Sequence, residues 1–486
     1  MISVDERVDY YRDENVRARI LEFLGGAALE KPTCRYLTVG DEEHPRLEAR
    51  WSDAALDSLL DHGFEINRSL WDETSLLADF DVEYVNFDRP AEAFLDPERI
   101  FELQQPVAEA IEQTLREYGI AALHLLSGRG HHFIWRIRRD SEEFQQLVRL
   151  GRGPASLWKL EAAPHRPEGK RILEELGRAF AGLGLIMEFL ACRIKERAAP
   201  ATAIPVELTA VEVGSSDHGR EMISLDISEY GDPMHKRMTR TAFSVYLKPW
   251  QHHSGLDSEL LKYLPPLFVI PLHALTWRQG IGIMRDKSAT MKLAENSHAQ
   301  IPDASESMAR LIADYAISNI AEFHNFFYSQ DQHEPEHWHE TYDRLPLETL
   351  PACARMTLQQ PNDLLLKPAR IRQLTRIMLA LGWHPRHIAG LIHSKYAQPF
   401  GWTQFDGYDR ATRADFYTRI FAGLFVTGRD DLVDFNCVSA QEQRVCPFSN
   451  CGFNLLDFKE SALTRRANAT LAHRPFNRLL LQPEHS

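Results

Sequence analysis

The sequence predicts an α+β protein with a mixed region of strands and helices over residues 1–285 and a helical region over residues 310–486. Three observations support this fold class. Strand-like and helix-like periodicities alternate up to about residue 280, residues 286–309 are polar and mostly small, and the pattern after them is almost wholly helical. A chain of 486 residues exceeds one average hydrophobic core. We therefore expect two domains joined by a linker at 286–309.

The predicted elements follow one another in order along the first region. Residues 1–30 have the pattern of a helix that ends at a glycine pair. Residues 76–87 alternate apolar and acidic positions, as a half-buried strand does. The other predicted elements are a helix at 98–119, two strands on either side of a glycine turn at 127–130, a long helix at 168–198, and strands at ISLDIS and AFSVYLK.

The overall charge argues weakly against a nucleic-acid partner, but the charge is unevenly distributed. The formal net charge is −14, whereas the residues from Cys353 to the C-terminus contain 17 Lys and Arg against 11 Asp and Glu. A basic C-terminal part is compatible with local nucleic-acid contact or with a solvated basic face. No apolar run is long enough to span a bilayer and the N-terminus has no apolar signal core, so we expect a cytoplasmic protein without membrane contact.

A cluster of acids occupies the strand predicted at 76–87. Asp79, Asp81 and Glu83 fall at every second position, which places their side chains on one face of a strand. Crowded carboxylates repel one another unless water or a divalent cation neutralises them. The segment is therefore a candidate metal site, with a solvated acidic edge strand as the alternative.

A glycine-rich turn with polar side chains follows. Ser127 and Arg129 lie in the turn, which leads directly into the histidine pair His131 and His132. Backbone N–H groups, a hydroxyl and a guanidinium at such a turn suit phosphate oxygens. The alternative is a plain hairpin with structural histidines.

A third acid, Asp226, lies in the middle of the apolar strand ISLDIS, where a lone charge needs a partner or a metal ion. Lys236, Arg237, Arg240 and Lys248 follow within a short stretch. A capped strand followed by a basic surface helix is the alternative. Phosphoryl transfer requires cations held by carboxylates and donors that hold a triphosphate, and the three segments together supply both.

In their order and in their residues, the three segments resemble the catalytic small subunit of archaeal and eukaryotic DNA primases and their primase–polymerase relatives. These proteins form the archaeo-eukaryotic primase superfamily. The matching segments are FDVEYVNFD, SGRGHH and SLDIS…RTAFSVYLK. The resemblance implies an RRM-like catalytic domain in which Mg²⁺ or Mn²⁺ ions are bound by Asp81, Glu83 and Asp226. It also implies that the incoming nucleotide is held by Ser127, Arg129, His132, Arg240 and Lys248.

The match departs from the family at several points, and two of them concern predicted site residues. Glu83 stands where the family usually has an aspartate, and metal chemistry tolerates this exchange. The second motif is one residue shorter than in many relatives, which leaves both His131 and His132 open as the functional histidine. The Gly-x-His spacing favours His132.

Four cysteines of the last third form a second candidate site. Cys353, Cys437, Cys446 and Cys451 are separated by 83, 8 and 4 residues, without the paired C-x2-C knuckles of zinc ribbons. One remote and three nearer cysteines in a helical domain suit a [4Fe–4S] cluster with four thiolate ligands. Zn²⁺ at the same residues is the second choice, and unrelated buried cysteines are the structural alternative.

The sequence around these cysteines resembles the C-terminal iron–sulfur domain of the primase large subunit over residues 340–460. LPACARM precedes a helical stretch, and FNC…RVCPFSNC follows it. The resemblance implies an all-α iron–sulfur domain that contacts template DNA and the 5′ end of the primer. The arginines considered for that contact, or for a solvated helix face, are Arg370, Arg372, Arg376 and Arg386.

The sequence thus predicts a single-chain DNA primase or primase–polymerase that transfers nucleotides from NTPs or dNTPs. The expected partners are a single-stranded DNA template, a primer–template duplex, the nucleotide, and a helicase or another replication protein. A metal-dependent nuclease is one alternative, although it has no need of a triphosphate-holding turn. A non-catalytic nucleic-acid-binding protein of replication, repair or defence is another, and the intact acids argue against it.

Overall fold

The computed structural model describes residues 2–25, 33–39, 47–49, 53–154, 157, 169–234, 237–250, 256–361, 367–397, 409–446, 448 and 450–471. Over these ranges the protein is α+β, as predicted: a mixed sheet comes first and is followed by helices. All the named strands end by residue 271, and the elements after them are helices and 3-10 turns. None of the described helices is both long and apolar enough to cross a bilayer.

The strands are β1 (Cys34–Val39), β2 (Leu47–Ala49), β3 (Glu65–Asp72), β4 (Ser75–Asn86), β5 (Leu123–Ser127), β6 (Gly130–Arg138), β7 (Val206–Glu207), β8 (Glu221–Asp226), β9 (Met238–Arg240) and β10 (Ile270–Pro271).

The helices of the first region are α1 (Val4–Tyr11), α2 (Glu14–Phe23), α3 (Asp53–Asp61), α4 (Glu92–Leu95), α5 (Pro97–Tyr118), α6 (Glu142–Leu150), α7 (Gly169–Ala198), α8 (Ser258–Leu261) and α9 (Trp277–Met284). Those after it are α10 (Lys287–Asn296), α11 (Ser305–Ala316), α12 (Asn319–Phe327), α13 (Ala352–Gln359), α14 (Pro368–Ala380), α15 (Pro385–Tyr396), α16 (Arg410–Val426), α17 (Cys437–Glu442) and α18 (Leu455–Leu471).

Strand β4 is the centre of the sheet. One edge pairs with β6 in an antiparallel ladder, and the other edge pairs with β3 near its start and with β8 near its end. The full order is β10-β5-β6-β4-β3-β1-β2, with β7 added to β8 and β9 added to β3. Because β4 has twelve residues, its middle is covered on both edges. This middle contains the predicted acids.

Two predicted elements differ from the structure. The N-terminal helix is interrupted at Asp13, whose carboxylate accepts hydrogen bonds from two backbone N–H groups and starts α2. The segment AFSVYLK is not a regular strand, because Phe243 has φ = 63° and turns the backbone out of the extended region. The segment instead forms an isolated bridge between Val245 and Phe268, with backbone hydrogen bonds to residues 267–269 on either side of it.

The hydrophobic core is continuous between the sheet and the later helices. One cluster of buried side chains includes Phe80 and Trp135 on the sheet, Phe180 on α7, Phe323 on α12 and Phe421 on α16. Burial of apolar surface contributes about 25 cal/mol per Å², so a shared cluster of this kind holds the helices firmly on the sheet. The helical region is thus packed directly onto the region that contains β4.

The segment predicted as a linker, 286–309, has regular structure. It contains α10 and the start of α11. Between these helices, the backbone N–H of Arg136 donates to Pro302 O at 2.9 Å and the N–H of Ala304 donates to Arg136 O at 3.0 Å. Its polar composition does not reveal these backbone contacts with β6.

Candidate active site

The acids of β4 share one face, and the strand register brings the other two motifs beside them. Asp81 is paired across the ladder with His132 of β6 on one side and with Asp226 of β8 on the other. Glu83 is paired with Gly130 and Ser224. A Cβ at Gly130 would overlap the carbonyl oxygen of Val82, so this close approach of β6 to β4 requires glycine.

His132 is the histidine that faces the acids. Its Nδ1 lies 3.2 Å from Asp79 Oδ2, and its Nε2 lies 3.7 Å from Asp81 Oδ1. Although burial lowers the pKa of this imidazole, Asp81 and Asp79 raise it to about 9. The raised pKa favours the protonated, cationic form of His132 beside these two acids.

His131 points to the opposite face of the sheet. Its Nδ1 lies 2.8 Å from Nε2 of His124, and its ring packs edge-on against Phe101. Burial and the neighbouring histidines hold the pKa of His131 well below its usual range. Of the two candidate histidines, only His132 lies beside the acids.

Glu83 is surrounded by positive charge. Arg129 forms an ion pair with one carboxylate oxygen, and Lys248 Nζ lies 3.1 Å from the other. Burial alone would raise the pKa of Glu83, but Arg129, Lys248 and Arg240 together lower it well below the usual range. Burial and repulsion from Arg129 lower the pKa of Lys248 to about 8. The predicted metal ligand Glu83 is thus ionised and held by two of the predicted nucleotide ligands.

Arg240 is fixed at the edge of the same group. Its Nε lies 3.3 Å from Glu65 Oε1, and its guanidinium lies 4.7 Å from the ring centre of Tyr246. These contacts orient the planar guanidinium.

The negative charges of Asp81 and Asp226 are balanced less fully by nearby positive side chains than the charge of Glu83 is. Burial and repulsion from Glu83 raise the pKa of Asp81 to about 7. Burial also raises the pKa of Asp226, whose Oδ1 accepts a hydrogen bond of 2.8 Å from the N–H of Ser228. Among the described residues, Asp81 Oδ1 has no hydrogen-bond donor. Both carboxylates are suited to a cation, because a divalent ion nearby would favour their ionised forms.

Glu229 is an acid of the site that the sequence reasoning missed. It lies on the 3-10 turn Ser228–Gly231 and lines the same cavity as Asp79. Burial and repulsion from Asp79 raise the pKa of Glu229 well above the usual range. Its position three residues after Asp226 was the only available signal.

The acids and cations enclose a cavity of about 230 Å³. It is lined by Asp79, Asp81, Glu83, His132, Asp226, Ser228, Glu229, Arg237, Met238, Arg240 and Lys248. Most of the predicted site residues therefore meet in one place. Ser127 is not in the lining; its buried hydroxyl donates to Gly130 O at 3.4 Å and stabilises the turn.

Carboxylate oxygens, which are the donors that Mg²⁺ and Mn²⁺ prefer, line the cavity. Asp81 and Asp226 offer such oxygens on adjacent strands, with Glu83 next to them. In the part of the chain that the structure describes, no three His, Cys, Asp or Glu side chains converge closely enough to hold a metal ion.

The fold brings some of the four later cysteines into contact with one another. Cys353 is buried at the start of α13, and its thiol lies within hydrogen-bond reach of Cys446. The hydrogen bond from Cys353 lowers the pKa of Cys446 to about 6. Cys437 Sγ accepts a hydrogen bond of 3.4 Å from the N–H of Leu455. All four thiols are free of disulfide bonds.

The arginines considered for DNA contact are engaged within the protein. Arg372 lies 3.0 Å from Asp434, and Arg376 lies 2.7 Å from Asp430. Arg386 forms an ion pair with buried Asp415, and Arg370 donates to the backbone of residues 444–445. Helices α14 and α15 direct them toward acids and carbonyls of neighbouring segments, and the side chains of Arg372, Arg376 and Arg386 are mostly buried there.

The arrangement combines carboxylates for a divalent cation with four cationic side chains beside them, His132, Arg237, Arg240 and Lys248. Carboxylates and cationic side chains are the kinds of groups that bind metal–polyphosphate complexes in proteins. Comparison with protein-family models, curated proteins and solved structures found no match to this chain.

Proposed function

We propose that this chain is a template-directed nucleotidyltransferase of the archaeo-eukaryotic primase class, a DNA primase or primase–polymerase. The observation that carries the proposal is the register of three strands. Asp81 is flanked by His132 and Asp226, and these residues come from the three segments that resemble the primase motifs. Carboxylates and cationic side chains are thus adjacent in one cavity, and nucleotidyl transfer requires both kinds of group.

Asp81, Glu83 and Asp226 would hold the Mg²⁺ or Mn²⁺ ions. When bound, such ions neutralise the triphosphate and lower the pKa of the attacking hydroxyl. Glu83 is already ionised, because Arg129 and Lys248 hold its carboxylate. Asp81 would lose its proton more readily beside a cation, since its pKa of about 7 results from burial and from uncompensated repulsion.

The cationic side chains would orient the triphosphate. His132, fixed through Nδ1 by Asp79, presents Nε2 to the cavity as a donor for a phosphate oxygen. Lys248 and Arg240 line the same cavity, and Arg129 lies just behind Glu83. In the proposed reaction, the 3′ oxygen of a primer or first nucleotide forms a bond to the α-phosphorus. The bond to the β-phosphate oxygen breaks, pyrophosphate leaves, and the hydroxyl proton passes to water.

We propose further that Cys353, Cys437, Cys446 and Cys451 hold a [4Fe–4S] cluster, with Zn²⁺ as the second choice. The contact between the thiols of Cys353 and Cys446 supports a shared ligand set. Arg370 helps to lower the pKa of the Cys446 thiol, whereas the hydrogen bond to Cys446 and burial raise the pKa of Cys353. The helical region would then contact template DNA and the primer, in a cytoplasmic replication or repair reaction with a helicase or another replication protein as a partner.

The decisive experiment is synthesis on a single-stranded DNA template by the purified full-length chain. Unprimed and primed templates are incubated with Mg²⁺ or Mn²⁺, and NTPs and dNTPs are supplied separately. New chains, or extended primers whose sequence depends on the template, would support the proposal. Shortening of the DNA without extension would favour the nuclease alternative, and template binding without any reaction would favour a non-catalytic protein.

A further inference from the structure

We propose that Arg237 is a phosphate-binding side chain of the cavity and that Arg413, on helix α16, sets its position through Asp232. This inference rests on the proposed function and deepens it. It adds a cation to the predicted nucleotide-binding set, and it assigns a positioning residue to the helical region that follows the sheet. The positioning residue Arg413 acts on Arg237 through Asp232 and does not itself line the cavity.

Arg237 lines the cavity next to a predicted metal ligand. Its side chain is 25% exposed, and its Nη2 donates to Ser228 O at 2.9 Å. The N–H of Ser228 in turn donates to Asp226 Oδ1 at 2.8 Å. The guanidinium is therefore held beside the third acid. A guanidinium has five N–H donors, so Arg237 can bind phosphate oxygens through the donors that Asp232 and Ser228 do not use.

Asp232 connects Arg237 to the helical region. Its side chain has no exposed surface, and its Oδ2 lies 2.7 Å from Nη2 of Arg237. Arg413 donates from Nε to Oδ1 at 3.1 Å and from Nη2 to Oδ2 at 3.4 Å. Because Arg413 holds both oxygens, it fixes the plane of the carboxylate. The direction in which Asp232 holds Arg237 then depends on Arg413.

Packing of α16 makes this connection rigid. The ring of Phe416 lies against Gly231, where a Cβ would overlap it. The guanidinium of Arg413 lies 5.7 Å from the ring centre of Tyr417, which is itself buried. Helix α16 therefore presses on the segment 228–232 that carries both Ser228 and Asp232. A shift of the helix would move Arg237 relative to Asp226.

The first test compares two conservative variants of the same helix in the full-length chain. Arg413→Lys keeps the positive charge but removes the pair of guanidinium N–H donors that binds both oxygens of Asp232. We expect the KM for dNTP in primer extension to rise about tenfold, because one charge-assisted contact is weakened. The matched control is Arg419→Lys, which alters a buried ion pair of α16 with Glu188 outside the cavity lining. It should lower thermal stability and leave the KM unchanged.

A double-mutant cycle separates positioning from general damage. Arg237→Gln should raise the KM for dNTP by itself, and Arg413→Lys added to it should cause no further rise. Independent, additive effects would overturn the connection. If Arg413→Lys fails to fold, Asp232→Asn, which keeps the side-chain size, takes its place in the same cycle.

Equilibrium binding of a non-hydrolysable dATP analogue distinguishes this inference from the proposed function. A wild-type chain that binds no analogue would overturn both. Binding that is unchanged in Arg413→Lys and Arg237→Gln would overturn the inference alone. Binding that is weakened in both variants would support it, even if the wild type never extends a primer and the proposed function fails.

Discussion

Asp81 lies directly opposite Asp226 in the ladder between β4 and β8, and both carboxylates line one cavity. Neighbouring strands are about 4.8 Å apart, so two acids in register lie close enough to repel each other. Burial raises the pKa of each carboxylate and adds to this cost. A pair that destabilises the fold in this way is typical of a site that is kept for binding or catalysis.

The first prediction concerns activity. Asp81→Asn and Asp226→Asn each remove a carboxylate charge at nearly constant size, so cation binding is weakened while packing is kept. We expect primer extension to fall at least about a hundredfold in each variant. Steady-state extension in Mn²⁺ measures this. Ser127→Ala is the comparison, because Ser127 is outside the cavity lining and should retain most activity. Full activity in Asp81→Asn would contradict the site assignment.

The second prediction concerns pH and stability in the presence of a chelator. The pKa of Asp81 is raised to about 7 by burial and by Glu83, whereas an unfolded aspartate has a pKa of about 4. The folded chain therefore binds this proton more tightly. The associated stability is complete below about pH 4 and decreases as pH rises toward 7.

His132 extends the same trend to higher pH. Its folded pKa of about 9 lies above the unfolded value of about 6.5, so its contribution is lost as pH rises through 9. Urea unfolding from pH 4 to 9 should show these losses. The decrease between pH 4 and 7 should be smaller by a few kcal/mol in Asp81→Asn. An identical profile in the variant would show that Asp81 titrates normally.

The third prediction tests metal binding without any assay of catalysis. Mn²⁺ that binds the folded chain stabilises it by about 2.7 kcal/mol when its concentration is a hundred times Kd. We expect Mn²⁺ to raise the Tm of the wild type, and to raise it much less in Asp81→Asn and Asp226→Asn. Differential scanning calorimetry with and without Mn²⁺ gives the comparison. Equal shifts in all three proteins would place the bound ion elsewhere.

The fourth prediction concerns the cysteines. Purified without oxygen, the full-length chain should contain about four iron atoms and four inorganic sulfides, and it should be brown. Cys437→Ser and Cys446→Ser should lose most of the iron. Cys192→Ser is the matched control, because Cys192 is buried on α7 among the core residues. Zinc without iron in the wild type would reject the cluster in favour of the second choice.

The strands that carry the candidate site could be predicted from the sequence, whereas their pairing and the orientation of nearby side chains could not. The alternating pattern of β4 and the apolar strand around Asp226 are local features, and both strands are present. Their register is a non-local property, and it was inferred only through the resemblance to a family. The orientation of Ser127 toward Gly130 depends on a turn geometry that composition does not specify.

The arginines of the helical region show why charge is hard to interpret from sequence. Arg372 and Arg376 have the spacing of one helix face, and their acid partners Asp430 and Asp434 lie more than fifty residues away along the chain. Only the packing of α14 against that later segment turns a basic surface into buried ion pairs. The division at 286–309 was likewise inferred from polarity, which does not reveal the helix and the backbone contacts found there.

The hydrophobic core shared by Phe80, Phe180 and Phe421 limits how the chain can be divided into fragments or redesigned. A fragment cut at 286–309 would leave the apolar surface of α7 open to water on one piece and that of α12 and α16 on the other. Either piece would then require a substitute covering, such as a detergent or a redesigned polar face. Because the two regions share one solvent-excluded interior, a foreign counterpart of either region would have to present the same apolar surface to the other.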